Sequence, residues 1–230
     1  LREFDAVLYE YTGERLPLTR SPVRFASWMG GDRDGNPNVT HHVTREVILL
    51  ARWMAADLYL KDVETLRAEL SMSDCSAALR QIVGQESNEP YRDLLRVVRQ
   101  RLTLTRDWLD AELRHESSDD SDIYRTSAEL LEPLQLCYQS LLDSGLEDVA
   151  NGDLLDMIRR LACFGVELLK LDVRQESARH TQTLDAITQF LGIGRYAEWD
   201  ETARQKFLLQ ELKNPRPLLP DHPQLIADHP

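Results

Sequence analysis

The sequence predicts a predominantly α-helical segment that carries a few strands of an α/β barrel. Three observations predict it: long stretches with apolar residues at helical spacing, two short apolar strand-like runs far apart in the chain, and alternation of helix with strand around them. Two strands do not make a stable sheet by themselves. The chain therefore either packs as a helical bundle or borrows strands from sequence outside its 230 residues.

Taken in order, the chain opens like the tail of a helix, with Phe4, Val7, Leu8 and Tyr11 at helical spacing, and passes into a loop at Thr12-Gly13. Pro17 and Pro22 prevent a long helix after it. VRFASWM (residues 23–29) is short, apolar and partly aromatic, as a buried strand is, and GGDRDGNPN after it is a dense turn signal. A long helix is expected over 41–71. Its apolar stripe is Val43, Val47, Leu50, Met54 and Leu58, continued after a small phase shift by Val63, Leu66 and Leu70. Asp74 is expected to cap a short helix ending near Val83. A helix over 90–115 has Leu94, Val98, Leu102, Leu109 and Leu113 as its core stripe and Arg and Asp outside, and ESSDDSDIYR (116–125) reads as an exposed loop. Helices follow over 126–143, from a cap at Asp153 to about Cys163, over 177–191 and over 200–213. VELLKLDVRQ, between the second and third of these, reads as a strand: Leu169, Leu171 and Val173 face one way, Lys170, Asp172 and Arg174 the other. Strands are thus expected at about 23–30 and 166–174, and a Pro-rich tail at 214–230. The chain starts at Leu1 without an initiator Met and ends in that tail, so it is read as an internal segment of one larger catalytic domain.

Composition narrows the functions. The net charge is −12, which disfavours nucleic acid and anionic membrane surfaces as partners, since both select basic faces. A pocket lined by a few arginines can still bind a small anion against that field. Cys75, Cys137 and Cys163 are odd in number and far apart, without a CxxC, so they read as reduced thiols in a cytoplasmic protein rather than a disulfide framework or zinc site. No apolar run approaches the ~18 residues of a membrane span. The six histidines show no metal-ligand spacing, and His41-His42 reads as an exposed helix start.

Two stretches carry chemistry. In the loop Gly30-Gly31-Asp32-Arg33-Asp34-Gly35-Asn36-Pro37, three glycines and a proline fix an unusual backbone path. An arginine between two aspartates there can be oriented by them while keeping N–H donors for a phosphate or carboxylate, and Trp28 offers an apolar wall beside it. The alternative is a structural turn with a satisfied ion pair. The spacing fits neither an EF-hand nor a Walker A loop: an EF-hand starting at Asp32 needs Gly where Pro37 stands, and no Gly-Lys-Ser/Thr follows. The second stretch is LDVRQESARHT (residues 171–181). It places Arg174 at the C-terminal end of a strand, where α/β barrels carry their chemistry; the alternative is a surface Asp172–Arg174 pair of little energetic weight.

SWMGGDRDGNPNVT (27–40) and LDVRQESARHT (171–181), with ANGDLLDMIRRLACFG (150–165) between them, resemble signature segments of phosphoenolpyruvate carboxylases in identity, order and separation. The resemblance implies a TIM-type α/β barrel heavily decorated with helices, in a cytoplasmic homotetramer. It implies addition of bicarbonate to phosphoenolpyruvate, giving oxaloacetate and phosphate through carboxyphosphate and the enolate of pyruvate. On it, Arg174 is an active-site arginine contacting the phosphoenolpyruvate anion. Arg33, with Asp32 and Asp34, sits in the glycine-rich loop at the barrel mouth, and Trp28 lines the same pocket near bicarbonate. The family's Thr-Ala-His-Pro-Thr motif, its Gly-Arg-Gly-Gly loop and the Glu and Asp that hold Mg²⁺ or Mn²⁺ have no match here, so metal and catalytic histidine are expected from outside this segment, which alone is expected to be inactive.

Two readings from other classes stand beside this one. The helices at 41–71 and 90–115 suit a scaffold that only packs, and Arg92, Arg96, Arg99 and Arg106 suit either an anion-sensing surface or a solvated face.

Overall fold

The structure, a computed structural model, describes residues 1–219; the tail from residue 220 on, with His222 and His229, lies outside them. The chain divides into two units, Leu1–Gly31 with Val39–Asp172 and Asp32–Asn38 with Val173–Pro230. Among the described residues no helix is long and apolar enough to cross a membrane.

The first unit is built on helices. After α1 (Arg2–Thr12) and the short strand β1 (Ala26–Ser27) come α2 (His41–Glu69), α3 (Ala77–Val83), α4 (Pro90–Leu113) and α5 (Ser127–Asp143). Then α6 (Glu147–Val149) widens into a π-type turn (Ala150–Leu154) that continues as α7 (Leu155–Phe164), and β2 (Lys170–Leu171) closes the unit. The helix starts follow local chemistry. Thr40 accepts the Val43 N–H at the head of α2, and Thr126 and Glu129 form a capping box at the head of α5. Between α2 and α4 lie Tyr59, Val63, Leu66, Leu95, Val98 and Leu102; Leu130, Leu134, Cys137 and Leu141 of α5 and Met157, Ile158 and Leu161 of α7 complete one core. Tyr91 is fully buried, and its hydroxyl finds Ser140 Oγ at 2.8 Å, which also accepts the Ser76 N–H at 2.9 Å.

β1 and β2 pair in parallel, Ala26 with Lys170 and Ser27 with Leu171, through Lys170 N–H to Phe25 O (3.3 Å) and Asp172 N–H to Ser27 O (2.8 Å). They are shorter than the 23–30 and 166–174 spans that the apolar runs suggest. Each strand here has a single neighbour, and regular ladder extends only where a neighbour supplies partners.

Other differences have equally local causes. On α2, Val63, Leu66 and Leu70 are buried as the periodicity requires, but Leu50, Met54 and Leu58 are 42–52% exposed. Ala55, Ala56, Tyr59 and Leu60 are buried instead, because α2 is apolar around most of its girth and small alanines let α4 approach. Ser76, not Asp74, caps α3, accepting the Leu79 N–H. Asp153 starts no helix, because the helix has already begun at Glu147. Ile123 and Tyr124, at the end of the acidic loop, are buried, with the Tyr124 N–H donating to Thr105 Oγ1 at 2.8 Å. On α1, Phe4, Val7 and Tyr11 are exposed and the buried residue is Asp5.

Asp5 accepts the Leu16 N–H at 2.6 Å and pairs with Arg159 at 3.2 Å and Arg15 at 3.3 Å. Burial pushes this carboxyl up; the Leu16 N–H, Arg159 and Arg15 outweigh burial and hold it below the usual carboxylate value. A carboxyl lowered on folding adds stability that is present above its unfolded pKa and is lost as pH falls through the folded one. Arg159 is only 4% exposed, so Asp5→Asn strands a buried cation and is expected to cost about 3 kcal/mol at neutral pH. The gap to wild type should close below about pH 4 as the wild-type carboxyl is protonated, which urea midpoints over a pH series would read.

The second unit holds the loop 32–38, α8 (Ser177–Phe190), a 3₁₀ turn (Tyr196–Glu198) and α9 (Glu201–Glu211). Phe207 packs edge to face on Tyr196 and Trp199, whose rings are tilted to each other, and the Arg204 guanidinium lies over Tyr196 while Nη2 donates to Ala197 O.

Candidate functional site

Residues 32–38, the greater part of the glycine-rich loop, meet the end of the second strand-like run inside the second unit. Arg33 N–H donates to Arg174 O at 2.9 Å, and Asp32 and Arg174 form a parallel bridge. Within the loop, the Asp34 N–H closes onto Asp32 Oδ1 at 3.2 Å, the Asn36 N–H onto Arg33 O, and the Asn38 N–H onto Asn36 Oδ1. Asp and Asn side chains that bond the backbone two residues on are what make such a loop hold one shape, and Gly35, at φ 67°, takes the left-handed position.

That shape puts both carboxylates on Arg174. Its Nη1 lies 3.2 Å from Asp32 Oδ2 and its Nη2 4.0 Å from Asp34 Oδ2. The Arg174 side chain is 62% exposed, so the pair adds little stability. What it supplies is orientation: a guanidinium has five donors, and two carboxylates holding one edge leave others open to solvent or to an anion. The ion pairs differ from those the sequence suggests. The aspartates of the loop hold Arg174, and Arg174 pairs with Asp32 rather than with Asp172.

Trp28 belongs to the first unit. It opens the turn Trp28-Met29-Gly30-Gly31, closed by Gly31 N–H to Trp28 O at 2.9 Å, with Gly30 at φ 80°. The side chain is held out from its own unit, 65% exposed. Three contacts fix the turn. Ser27 Oγ accepts the Met29 N–H at 3.1 Å, Thr44 Oγ1 donates to Gly30 O at 2.7 Å, and the Gly31 Cα lies so close to the Asp172 carbonyl that a Cβ would overlap it. The sequence reading does not single out Thr44. The available signal is slight: a threonine in the first turn of a helix that follows a glycine turn, where a hydroxyl is a common way to satisfy a neighbouring carbonyl.

The other candidates fall away from a site. Arg92, Arg96, Arg99 and Arg106 are each paired, with Glu89, Asp93, Glu64 and Asp57 respectively, as a solvated helix face would be. The His41 and His42 rings lie tilted against each other, centroids 3.9 Å apart, at the exposed head of α2. Among the described residues no group of three His, Cys, Asp or Glu is placed to hold a metal ion, so the side chains described here do not fit the divalent metal that the resemblance implies. Cys137 is buried, Cys75 and Cys163 are half-buried, and all three are free thiols.

A family model described as phosphoenolpyruvate carboxylase matches residues 1–228. Similar curated relatives include the phosphoenolpyruvate carboxylase of Acinetobacter baylyi, 56% identical over 222 residues, or 96% of this chain and 25% of the relative. That of Pseudomonas aeruginosa is 57% identical over 228 residues, 99% of this chain and 26% of its own. That of Marinobacter nauticus is 56% identical over 220 residues, 96% and 25%. The chain thus spans about a quarter of the length of the curated relatives it matches.

Proposed function

We propose that this chain, which belongs to the phosphoenolpyruvate carboxylase family, supplies Arg174 and the glycine-rich loop to the active site of a parent enzyme that converts phosphoenolpyruvate and bicarbonate to oxaloacetate and phosphate. The observation that carries this is Arg174 held along one edge by Asp32 and Asp34, with a backbone bridge fixing the strand end that bears it. β1 and β2 are two strands of a TIM-type barrel whose remaining strands come from the rest of the parent. Their parallel pairing supports this, because parallel neighbours need a long crossover and here the helical core forms it.

Two anions must meet in this reaction. Arg174 binds the phosphoenolpyruvate anion and offsets the repulsion that bicarbonate meets as it approaches the phosphorus. Arg33 lies in the loop at the barrel mouth, and Asp32 and Asp34 keep Arg174 aimed. Bicarbonate oxygen attacks phosphorus, the enolate of pyruvate leaves, and carbon dioxide released from carboxyphosphate joins the enolate carbon. The task of Trp28 is to exclude water, because water reaching the enolate protonates it to pyruvate. Mg²⁺ or Mn²⁺ would stabilise the enolate oxygen from ligands elsewhere in the parent. The parent is a cytoplasmic homotetramer, and neither nucleic acid nor membrane is a partner.

Oxaloacetate formation from phosphoenolpyruvate, dependent on bicarbonate and Mg²⁺ or Mn²⁺, is expected in the intact parent and absent from this segment assayed alone. A parent without this activity would leave the helical core as a scaffold and the motifs as marks of ancestry.

A further inference from the structure

We infer that Thr44, at the head of α2, is a positioning residue that aims Trp28 and thereby sets how the parent divides its enolate between oxaloacetate and pyruvate. The inference rests on the carboxylase reading above and goes beyond it, because it gives a task to a residue that reading does not use.

The geometry is local to the first unit. Thr44 is 7% exposed, and Thr40 caps the helix one turn before it. The Thr44 hydroxyl has one hydrogen and two nearby acceptors, Gly30 O at 2.7 Å and Thr40 O at 3.1 Å. The shorter bond, to Gly30, reaches out of the helix and across 14 residues. An isolated threonine in a helix bonds back to its own preceding turn; here the hydroxyl holds the carbonyl at the crest of the turn that carries Trp28.

The side chains of the turn itself do little to hold it. Met29 is 75% exposed and Trp28 65% exposed, so neither side chain is packed within its own unit. Gly30 sits at φ 80°, a conformation that glycine leaves at almost no cost, so the Gly30–Gly31 peptide is held by its hydrogen bonds, Gly31 N–H to Trp28 O within the turn and Thr44 Oγ1 to Gly30 O from α2. Val47, one helical turn beyond Thr44, lies against Gly30 so closely that no Cβ fits. α2 therefore grips Gly30 at two points, by contact at Val47 and by hydrogen bond at Thr44. The second joins the Gly31 N–H bond to Trp28 O in directing the peptide plane, and it is the hydrogen bond that ties the plane to α2.

Trp28 in the carboxylase reading keeps water from the enolate. A turn that rocks about Gly30 displaces the indole without removing it. Binding of phosphoenolpyruvate then survives, while the enolate meets water more often before carbon dioxide combines with it. In that branch the enolate carbon takes a proton from water and carbon dioxide is released as bicarbonate, so atoms balance with no further reactant.

The test uses the full-length parent. Thr44→Val keeps the shape and removes the donor; Thr44→Ser keeps the donor. With oxaloacetate and pyruvate measured together, Thr44→Val is expected to raise the pyruvate-to-oxaloacetate ratio on the order of tenfold, with KM for phosphoenolpyruvate changed less than about twofold. Thr44→Ser should keep the wild-type ratio. Ser27→Ala, which removes the acceptor for the Met29 N–H on the same turn, should move the ratio in the same direction and serves if Thr44→Val does not fold. An unchanged ratio in a folded Thr44→Val or Ser27→Ala enzyme overturns the inference while leaving the carboxylase reading intact. A loss shared equally by kcat and thermal stability, with the ratio unmoved, assigns Thr44 a purely structural role and overturns it too. A wild-type parent that makes no oxaloacetate overturns the underlying reading instead.

Discussion

Arg174→Ala in the full-length parent is expected to lower kcat/KM for phosphoenolpyruvate about 100-fold or more, the scale of losing one preorganised donor to a developing charge. The side chain is exposed and its ion pairs are weak, so the variant should fold and melt like wild type. That separation of activity from stability is the informative part. Arg174→Lys should be nearly as damaging. An ammonium keeps the charge but cannot accept the grip of two carboxylates on one edge and present parallel N–H bonds on another. Steady-state kinetics on both variants decide the matter: near-normal kcat/KM in the alanine variant removes Arg174 from the site, and near-normal kcat/KM in the lysine variant leaves charge alone as its contribution.

Gly31→Ala is expected to be the most disruptive small substitution in the chain. A Cβ there overlaps the Asp172 carbonyl oxygen and meets the Leu171 side chain at 3.1 Å. Neither neighbour can withdraw cheaply, because the Asp172 N–H is bonded to Ser27 O in the strand ladder. Relief requires moving backbone, and we expect a loss of about 3 kcal/mol, the upper part of the overpacking range. Gly35→Ala is the control. Gly35 has a positive φ but open space around it, so its cost should be only that of the left-handed conformation, about 1 kcal/mol. Comparable losses at the two positions, measured by urea unfolding, would mean that crowding at Gly31 is not the cause.

Much of this architecture is legible in the sequence, for reasons that differ by element. Helices α4 and α5 are read well because one face of each is apolar and the other charged, and Leu94, Val98, Leu102 and Leu109 are buried where the periodicity puts them. Helix α2 is placed within two residues, yet part of its stripe is assigned to the wrong face. A helix with Ile48, Leu50, Met54 and Leu58 exposed as well as Leu49, Tyr59 and Leu60 buried carries no clear phase. Ile123 and Tyr124 are hidden by the acidic residues before them, since a loop reading averages over its neighbours. Of the site, the loop and Arg174 are legible as motifs. Their pairing is not, since Asp32 and Arg174 are 142 residues apart and only the fold brings a carboxylate to the guanidinium. Thr44 is invisible for a related reason: its acceptor is a backbone carbonyl, which leaves no trace in the side-chain pattern.

The pairing of β1 with β2 has a kinetic consequence. Ala26 and Lys170 stand 144 residues apart, by subtraction of their numbers, while the helices between them are built from contacts close in the chain. Closing so long a loop against chain entropy, for a ladder of two residues per strand, is unfavourable until the intervening chain has already shortened the distance. The helical core should therefore form early and the ladder late. By the same reckoning the ladder opens first in the folded state, so the Lys170 and Asp172 amides, which donate across it, should exchange with deuterium well before those of Val63, Leu95 or Leu134. The strand ends that flank the glycine loop and Arg174 are then the last part of the chain to be assembled and the first to be released.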